Sequence, residues 1–262
     1  MSYRTVQDPV NYTTGVVRAT GSGPLGSAKA AALRNLALAI RTIPVTATTT
    51  VKSYAMESGT VETKLAALLQ NARTVAETVG KEGITTITVE IPLYGARSVA
   101  AAVLAEVILD PRDLHANAPI PRPEARPAPR PLPHKRPLPL TPPRDRGPFT
   151  ALLVDCRGLG VQAALSPKLY DSSGHELYGP LRVDIDDAII GGIVGYPRSV
   201  EEALKSKRAG ARPLIVQALG PKGSSKVDMV LSNDDALRVI QADQQAGFLA
   251  QCRVLLLCDP PR

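Results

Sequence analysis

Apolar positions recur along this chain at the spacing of helices in some stretches and of strands in others, and a segment with neither period divides them. In the first half, residues 14–20 (TGVVRAT) read as a short strand. Residues 27–43 carry Leu33, Leu36, Ala37 and Ile40 on one helical face, with Ser27 placed to cap the helix and Pro44 to end it. Residues 45–55 (VTATTTVKSYA) are rich in β-branched side chains and predict a strand. A second helix follows over 63–72, and a further strand near 74–79. The run ITTITVEIPLYG (84–95) sets Ile84, Ile87, Val89 and Ile91 loosely against Thr and Glu, the pattern of a strand with one wet face. Residues 98–109 predict a third helix, rich in Ala and Val.

The second half reads in the same way. Residues 149–160 are an apolar strand closed by a glycine turn. LSPKLYDSSGHELYGP forms two short strands around Asp171, Ser172, Ser173 and Gly174. Residues 184–190 predict a helix whose early acids, Asp184, Asp186 and Asp187, suit its dipole. SVEEALKSKRAG (199–210) predicts a helix capped by Ser199, with Glu202 closing a capping box and Gly210 stopping it. Two strands come next, 213–220 and 226–232. A helix then begins at Ser232 or Asn233, and a final strand spans 253–259.

Between the halves, residues 119–148 hold twelve of the 24 prolines. Proline at that density removes backbone donors and fixes φ, so the segment predicts an extended polyproline spacer. The expected architecture is therefore α/β (α+β): two small mixed modules, 1–118 and 149–262, joined by an extended Pro/Arg-rich linker over 119–148.

Charge sharpens this division. The chain of 262 residues carries +7. The linker alone contributes seven Lys and Arg against two acids, whereas residues 149–262 hold thirteen of each sign. A basic chain conventionally points to nucleic acid, but here the excess marks the spacer, and no nucleic-acid partner is expected. Arg122, Arg126, Arg130, Arg136, Arg144 and Arg146 are the candidate assembly or linker contacts. With 44% hydrophobic residues the chain has material for a core, which excludes wholesale disorder. The apolar stretch 99–109 is about half of what a bilayer span needs, so no transmembrane segment is expected. The start, MSYRTVQDPV, has no signal-peptide pattern. The expectation is a cytoplasmic protein if Met1 is the native start, or an exported one whose leader is absent.

Candidate chemistry is sparse. Gly21, Gly23 and Gly26 spell G-x-G-x-x-G after a strand and before a helix, the place of a dinucleotide fingerprint. Yet no acid stands between Gly26 and Glu57 to hold a ribose, and the next predicted strand is threonine-rich. A glycine-eased strand-to-helix turn is the reading favoured. His115, His134 and His175 lack metal-ligand spacing, and the acid pairs Asp186/Asp187 and Asp234/Asp235 read as helix caps. Cys156 on an apolar strand has no histidine near it in sequence and reads as a small buried hydrophobe. Cys252 and Cys258, six apart, are expected on one face of one strand and too far apart to bond, which leaves Cys156–Cys252 and Cys156–Cys258 as the alternative bridges. No catalytic residue, cofactor or metal is expected.

Several of these segments resemble the FlgP-like family of bacterial outer-membrane lipoproteins and periplasmic proteins associated with flagellar disks and rings. In the second half the resemblance rests on Asp155, Gly158, Leu159 and Gly160, on the strand 167–170, on Arg208, Gly210 and Pro213, and on Ser232, Asn233, Asp235 and Ala236. In the first half it rests on the Ala-rich helix 27–43 and on VEIPLYGARSVAAAVL (89–104). No lipobox cysteine stands near the start, so lipid anchoring is not carried over. The resemblance implies a non-enzymatic subunit that assembles side by side with copies of itself into rings, tubes or filaments. It also implies a periplasmic, outer-membrane or extracellular place, with other envelope or flagellar proteins as partners. The alternative expectation is a monomeric envelope module that engages peptidoglycan, an anionic lipid surface or another protein through its basic linker.

Overall fold

The computed structural model describes residues 8–80, 83–108 and 148–259. Each half contributes one sheet with helices against it. In the first, strands β1 (Val10–Asn11), β2 (Val16–Gly23), β3 (Arg73–Val79) and β4 (Thr85–Pro92) form an antiparallel sheet in the order β1-β2-β4-β3. Val17 and Ala19 of β2 and Ile87, Val89 and Ile91 of β4 are buried under helix α1 (Leu25–Arg41), which answers with Ala28, Ala32, Leu36 and Ile40. That spacing of four is one stripe of a helix. The contact is close because Gly21 has no side chain: a Cβ there would overlap the backbone of Ala28 and Ala32. The glycines of the G-x-G-x-x-G run thus lie in an antiparallel strand (Gly21, Gly23) and in the first turn of α1 (Gly26), and Gly21 serves helix-on-strand packing.

Two local expectations are corrected here. Ser27 does not cap α1; the helix starts two residues earlier behind Pro24, and the Ser27 hydroxyl donates to the Pro24 carbonyl. Residues 45–55 do not form a strand. The Thr46 hydroxyl accepts from the N–H groups of Thr48 and Thr49, and Thr50 pairs with Ser53, opening helix α2 (Val51–Glu57). The threonines act as turn and cap formers, hydrogen-bonding their own backbone rather than packing in a sheet. Helix α3 (Gly59–Gln70), capped by Ser58, and helix α4 (Val99–Ile108) complete this half.

In the second half β5 (Ala151–Asp155), β6 (Leu169–Asp171), β7 (Glu176–Tyr178), β8 (Pro213–Lys222), β9 (Asp228–Leu231) and β10 (Val254–Leu257) form a mixed sheet ordered β10-β5-β8-β9-β6-β7. β10, β5 and β8 are parallel, and β5 and β10 are almost wholly buried apolar runs, as doubly covered parallel strands are. Helices α5 (Ile185–Gly191), α6 (Val200–Lys205) and α7 (Asn233–Ala246) are capped by Asp184, Ser199 and Ser232. Helix α6 stops at Lys205, before Gly210. The Ser206 hydroxyl takes up the Arg208 N–H, and Gly210 (φ +63) makes a later turn against Thr150. Glu202 reaches back to the Arg198 N–H at 2.6 Å, one residue beyond the Ser199 N–H of the expected box.

The halves meet along a hydrogen-bonded seam. Leu165 and Ser166 donate to the carbonyls of Pro44 and Val45 at 3.0 and 2.7 Å, and Gly95 donates to Ile189 at 2.8 Å. Buried residues of both sheets belong to one continuous core. The fold is α/β, with mixed and antiparallel sheets, and among the described residues no helix is long and apolar enough to cross a membrane.

Candidate functional site

Among the places in the described residues that bring polar or reactive groups together, three differ in what is left over for a partner. The first is the seam. A cleft of 790 Å³ lies over it, bordered by Tyr94, Tyr196, Glu201, Lys205 and Arg208. Of these, Tyr196, Glu201, Lys205 and Arg208 are already engaged. The Arg208 guanidinium donates to the carbonyls of Gly191, Gly192, Ile193 and Cys252, fastening the C-terminal end of α5 to the turn before β10. Glu201 pairs with Lys205 at 2.5 Å. The Tyr196 hydroxyl donates to the Ala164 carbonyl and accepts its N–H. Burial raises the pKa of Tyr12, Tyr94 and Tyr196, so these phenols stay protonated.

The second is the β6–β7 turn. Buried Asp171 accepts from the backbone N–H groups of Ser173 and His175, and its other oxygen lies 3.0 Å from His175 Nδ1. A carboxylate orienting a histidine is the geometry of a general base. Here, however, all three contacts close the hairpin, as an Asx turn does. The neighbouring Ser172 hydroxyl is turned to Asn233 at 2.7 Å.

The third is the free edge of the first sheet, which is built from the centre outward. On its wet face Thr20 meets Thr88 at 3.0 Å and Ser22 meets Thr86 at 2.9 Å. Glu90, 8% exposed, receives both Arg18 and Arg73. Those two guanidinium groups hold its carboxyl below the usual carboxylate range against the opposing effect of burial. Arg73 thereby ties β3 to the sheet. On the other face α1 covers β2 and β4 only. Strand β3 is left exposed at all seven residues, including Val75 and Val79 (70% exposed), with Ile84 exposed beside the turn that Gly80 and Ile84 close. It is the last strand of its sheet, so its outer backbone edge pairs with no described strand.

Of the other edge strands, two are short and one is covered. β1 has two residues and β7 three, while β10 is bridged by Gly195, which bonds Val254 and Leu256. A seven-residue edge exposed on both faces is the arrangement that accepts another strand.

The residues singled out from sequence fall as follows. Arg122, Arg126, Arg130, Arg136, Arg144 and Arg146, with His115 and His134, lie outside the described residues. Asp186 and Asp187 donate their N–H groups to the Asp184 carboxylate, and Asp235 does so to Ser232 Oγ, so both acid pairs sit at caps. Cys156, Cys252 and Cys258 are free and buried. Burial pushes Cys252 up to about 11 and Cys258 up to about 12, with Cys156 also well above its ordinary value, so none is a poised nucleophile. Cys252 lies in a left-handed turn (φ 54) ahead of β10 and Cys258 directly after it, so the two do not share one strand. Sequence reasoning gave no role to Tyr12, Tyr94 and Tyr196 and took Arg208 only as part of a resemblance, because side chains that meet across a seam leave no periodic trace. Among the described residues no group of three or more His, Cys, Asp and Glu is placed to hold a metal ion.

Comparison with known proteins gives one family match. Residues 151–260 match the second domain of Treponema pallidum Tp0624, a stretch that starts with β5 and takes in every strand of the second sheet. No curated protein matches the chain significantly.

Proposed function

We propose that this protein is a structural subunit that self-assembles into a large homo-oligomer, a ring, tube or filament, in the bacterial envelope or outside the cell. The observation that carries this reading is β3: seven residues, exposed on both faces, at an open sheet edge, with Val75 and Val79 presented to solvent. A second copy is the occupant favoured, because β3 carries Arg73 and Glu77 together and so has no net charge to select an acidic or basic partner. The likeness of several segments to FlgP-like disk and ring proteins supports the same reading and a flagellar or other envelope setting. Light scattering after size exclusion, with negative-stain microscopy, tests it. Assemblies are expected for the native chain, and the double substitution Val75→Lys, Val79→Lys is expected to reduce them to smaller species without unfolding. A native chain that stays monomeric at high concentration overturns the reading.

The charge in residues 119–148 favours a second reading, a monomeric module that engages an anionic surface through Arg122, Arg126, Arg130, Arg136, Arg144 and Arg146. Such binding weakens steeply with ionic strength, whereas strand pairing does not. Replacing the six arginines by glutamine abolishes vesicle or peptidoglycan binding on the second reading and leaves β3-mediated assembly in place on the first.

A further inference from the structure

Strands β10 and β5 run parallel with Val254 beside Leu152, Leu255 beside Leu153, Leu256 beside Val154 and Leu257 beside Asp155. The ladder continues for one more residue, because the Cys156 N–H donates to the Leu257 carbonyl at 3.0 Å. In a parallel pair that bond sets Cys156 alongside Cys258. In-register neighbours project to the same side of a sheet, and the two side chains are both buried in one core. Adjacent strands stand about 4.8 Å apart, inside the Cα separation of roughly 4.4–6.8 Å that a disulfide spans. We infer that Cys156 and Cys258 are a disulfide-forming pair, closed when the chain folds in an oxidising compartment and open in a reducing one.

The third cysteine is set apart from this pair. Cys252 sits in the turn before β10, where its thiol meets the Tyr178 hydroxyl and its carbonyl receives Arg208. In the reduced state the Cys258 thiol donates to Leu256 O, 3.3 Å away, a contact that closure replaces. The chemistry is thiol–disulfide exchange with a small disulfide such as oxidised glutathione. One cysteine thiolate attacks a glutathione sulfur, breaking that S–S bond and releasing one glutathione thiolate. The second cysteine thiolate then attacks the protein-bound sulfur, forming the Cys156–Cys258 bond and releasing the second glutathione. The two protons lost by the cysteines go to the two glutathione thiols, and the protein is oxidised by two electrons as the glutathione disulfide is reduced. Because burial holds both thiols protonated in the folded chain, exchange belongs to folding, before β5 and β10 are covered. The bond would close a loop of about 100 residues, joining the first and last strands of the second sheet.

Refolding the reduced, denatured full chain in a reduced/oxidised glutathione buffer tests this. Non-reducing digestion with mass spectrometry is expected to give a peptide linking Cys156 to Cys258, lighter than its parts by two hydrogens, with Cys252 as the sole thiol open to maleimide after denaturation. Thermal unfolding is expected to shift upward by roughly 5–15 °C relative to the reduced protein, the shift vanishing with dithiothreitol. Cys252→Ala keeps both results, and Cys156→Ala or Cys258→Ala removes them. Three free thiols in the refolded wild type, or a bridge containing Cys252, overturns the inference, and the wild-type thiol count decides it even where a variant fails to fold.

Discussion

Tyr12 and Tyr196 meet edge to face across the seam, ring centroids 5.3 Å apart at 69°, one from each half of the chain. Tyr12 also donates to the Ala163 carbonyl at 3.2 Å, next to Ala164, whose N–H and carbonyl both bond Tyr196. Tyr196→Phe keeps the ring contact but strands a buried donor and acceptor. A loss of about 1–3 kcal/mol is expected by urea denaturation. Tyr12→Phe, which removes one longer bond, is expected to cost less, about 0.5–1 kcal/mol.

Gly21 and Gly26 distinguish packing from nucleotide recognition within one motif. A Cβ at Gly21 would overlap the backbone of α1, whereas at Gly26 nothing lies within 4 Å. Gly21→Ala is expected to cost at least about 2–3 kcal/mol, since a helix must move. Gly26→Ala, at a helical position, is expected to stabilise by about 0.5–1 kcal/mol. Chemical denaturation of the two variants measures both signs.

Arg208 is a clamp of four carbonyls, three of them on the last residue of α5 and the turn beyond. Lysine carries the charge but not the planar fork. Arg208→Lys is therefore expected to lose about 2–3 kcal/mol of stability. Amide exchange should rise first over residues 185–196.

Two buried carboxyls give opposite pH slopes. Glu90 has a pKa lowered by hydrogen bonds and charge from Arg73 and Arg18, so its stabilisation is present above its unfolded value of 4.5 and is lost as pH falls through the folded value. Asp228 has a pKa raised above its unfolded value of 3.8 by desolvation, which outweighs the Lys168 N–H bond. The folded chain holds that proton more tightly, so Asp228 disfavours folding once ionised and its effect fades as pH falls through the folded value. Glu90→Gln should flatten the loss of stability on acidification, and Asp228→Asn should raise stability at neutral pH. Unfolding midpoints between pH 3 and 7 check both.

Much of the fold was legible because periodicity and caps are local. The helix stripe at Leu36 and Ile40, the Ser199 and Ser232 caps, and the hairpin at Asp171 and Gly174 all express interactions within a few residues. Residues 45–55 misled because threonine serves strands and turns alike, and only the pairing of Thr50 with Ser53 decides between them. The candidate site was less legible. Whether β3 is an edge depends on strand order, and whether it is bare depends on α1 reaching no farther than β4; neither is written in the seven residues Arg73 to Val79. The partners of Arg208 lie 15 to 44 residues away, beyond any window of spacing.

The common core of the two halves has a consequence for the chain between Ile108 and Pro148. Both of its ends are anchored in packed structure, so bringing them together costs entropy that the packing of the two halves outweighs. The shared core therefore fixes the separation of Ile108 and Pro148, the two points that the chain joining the halves has to span.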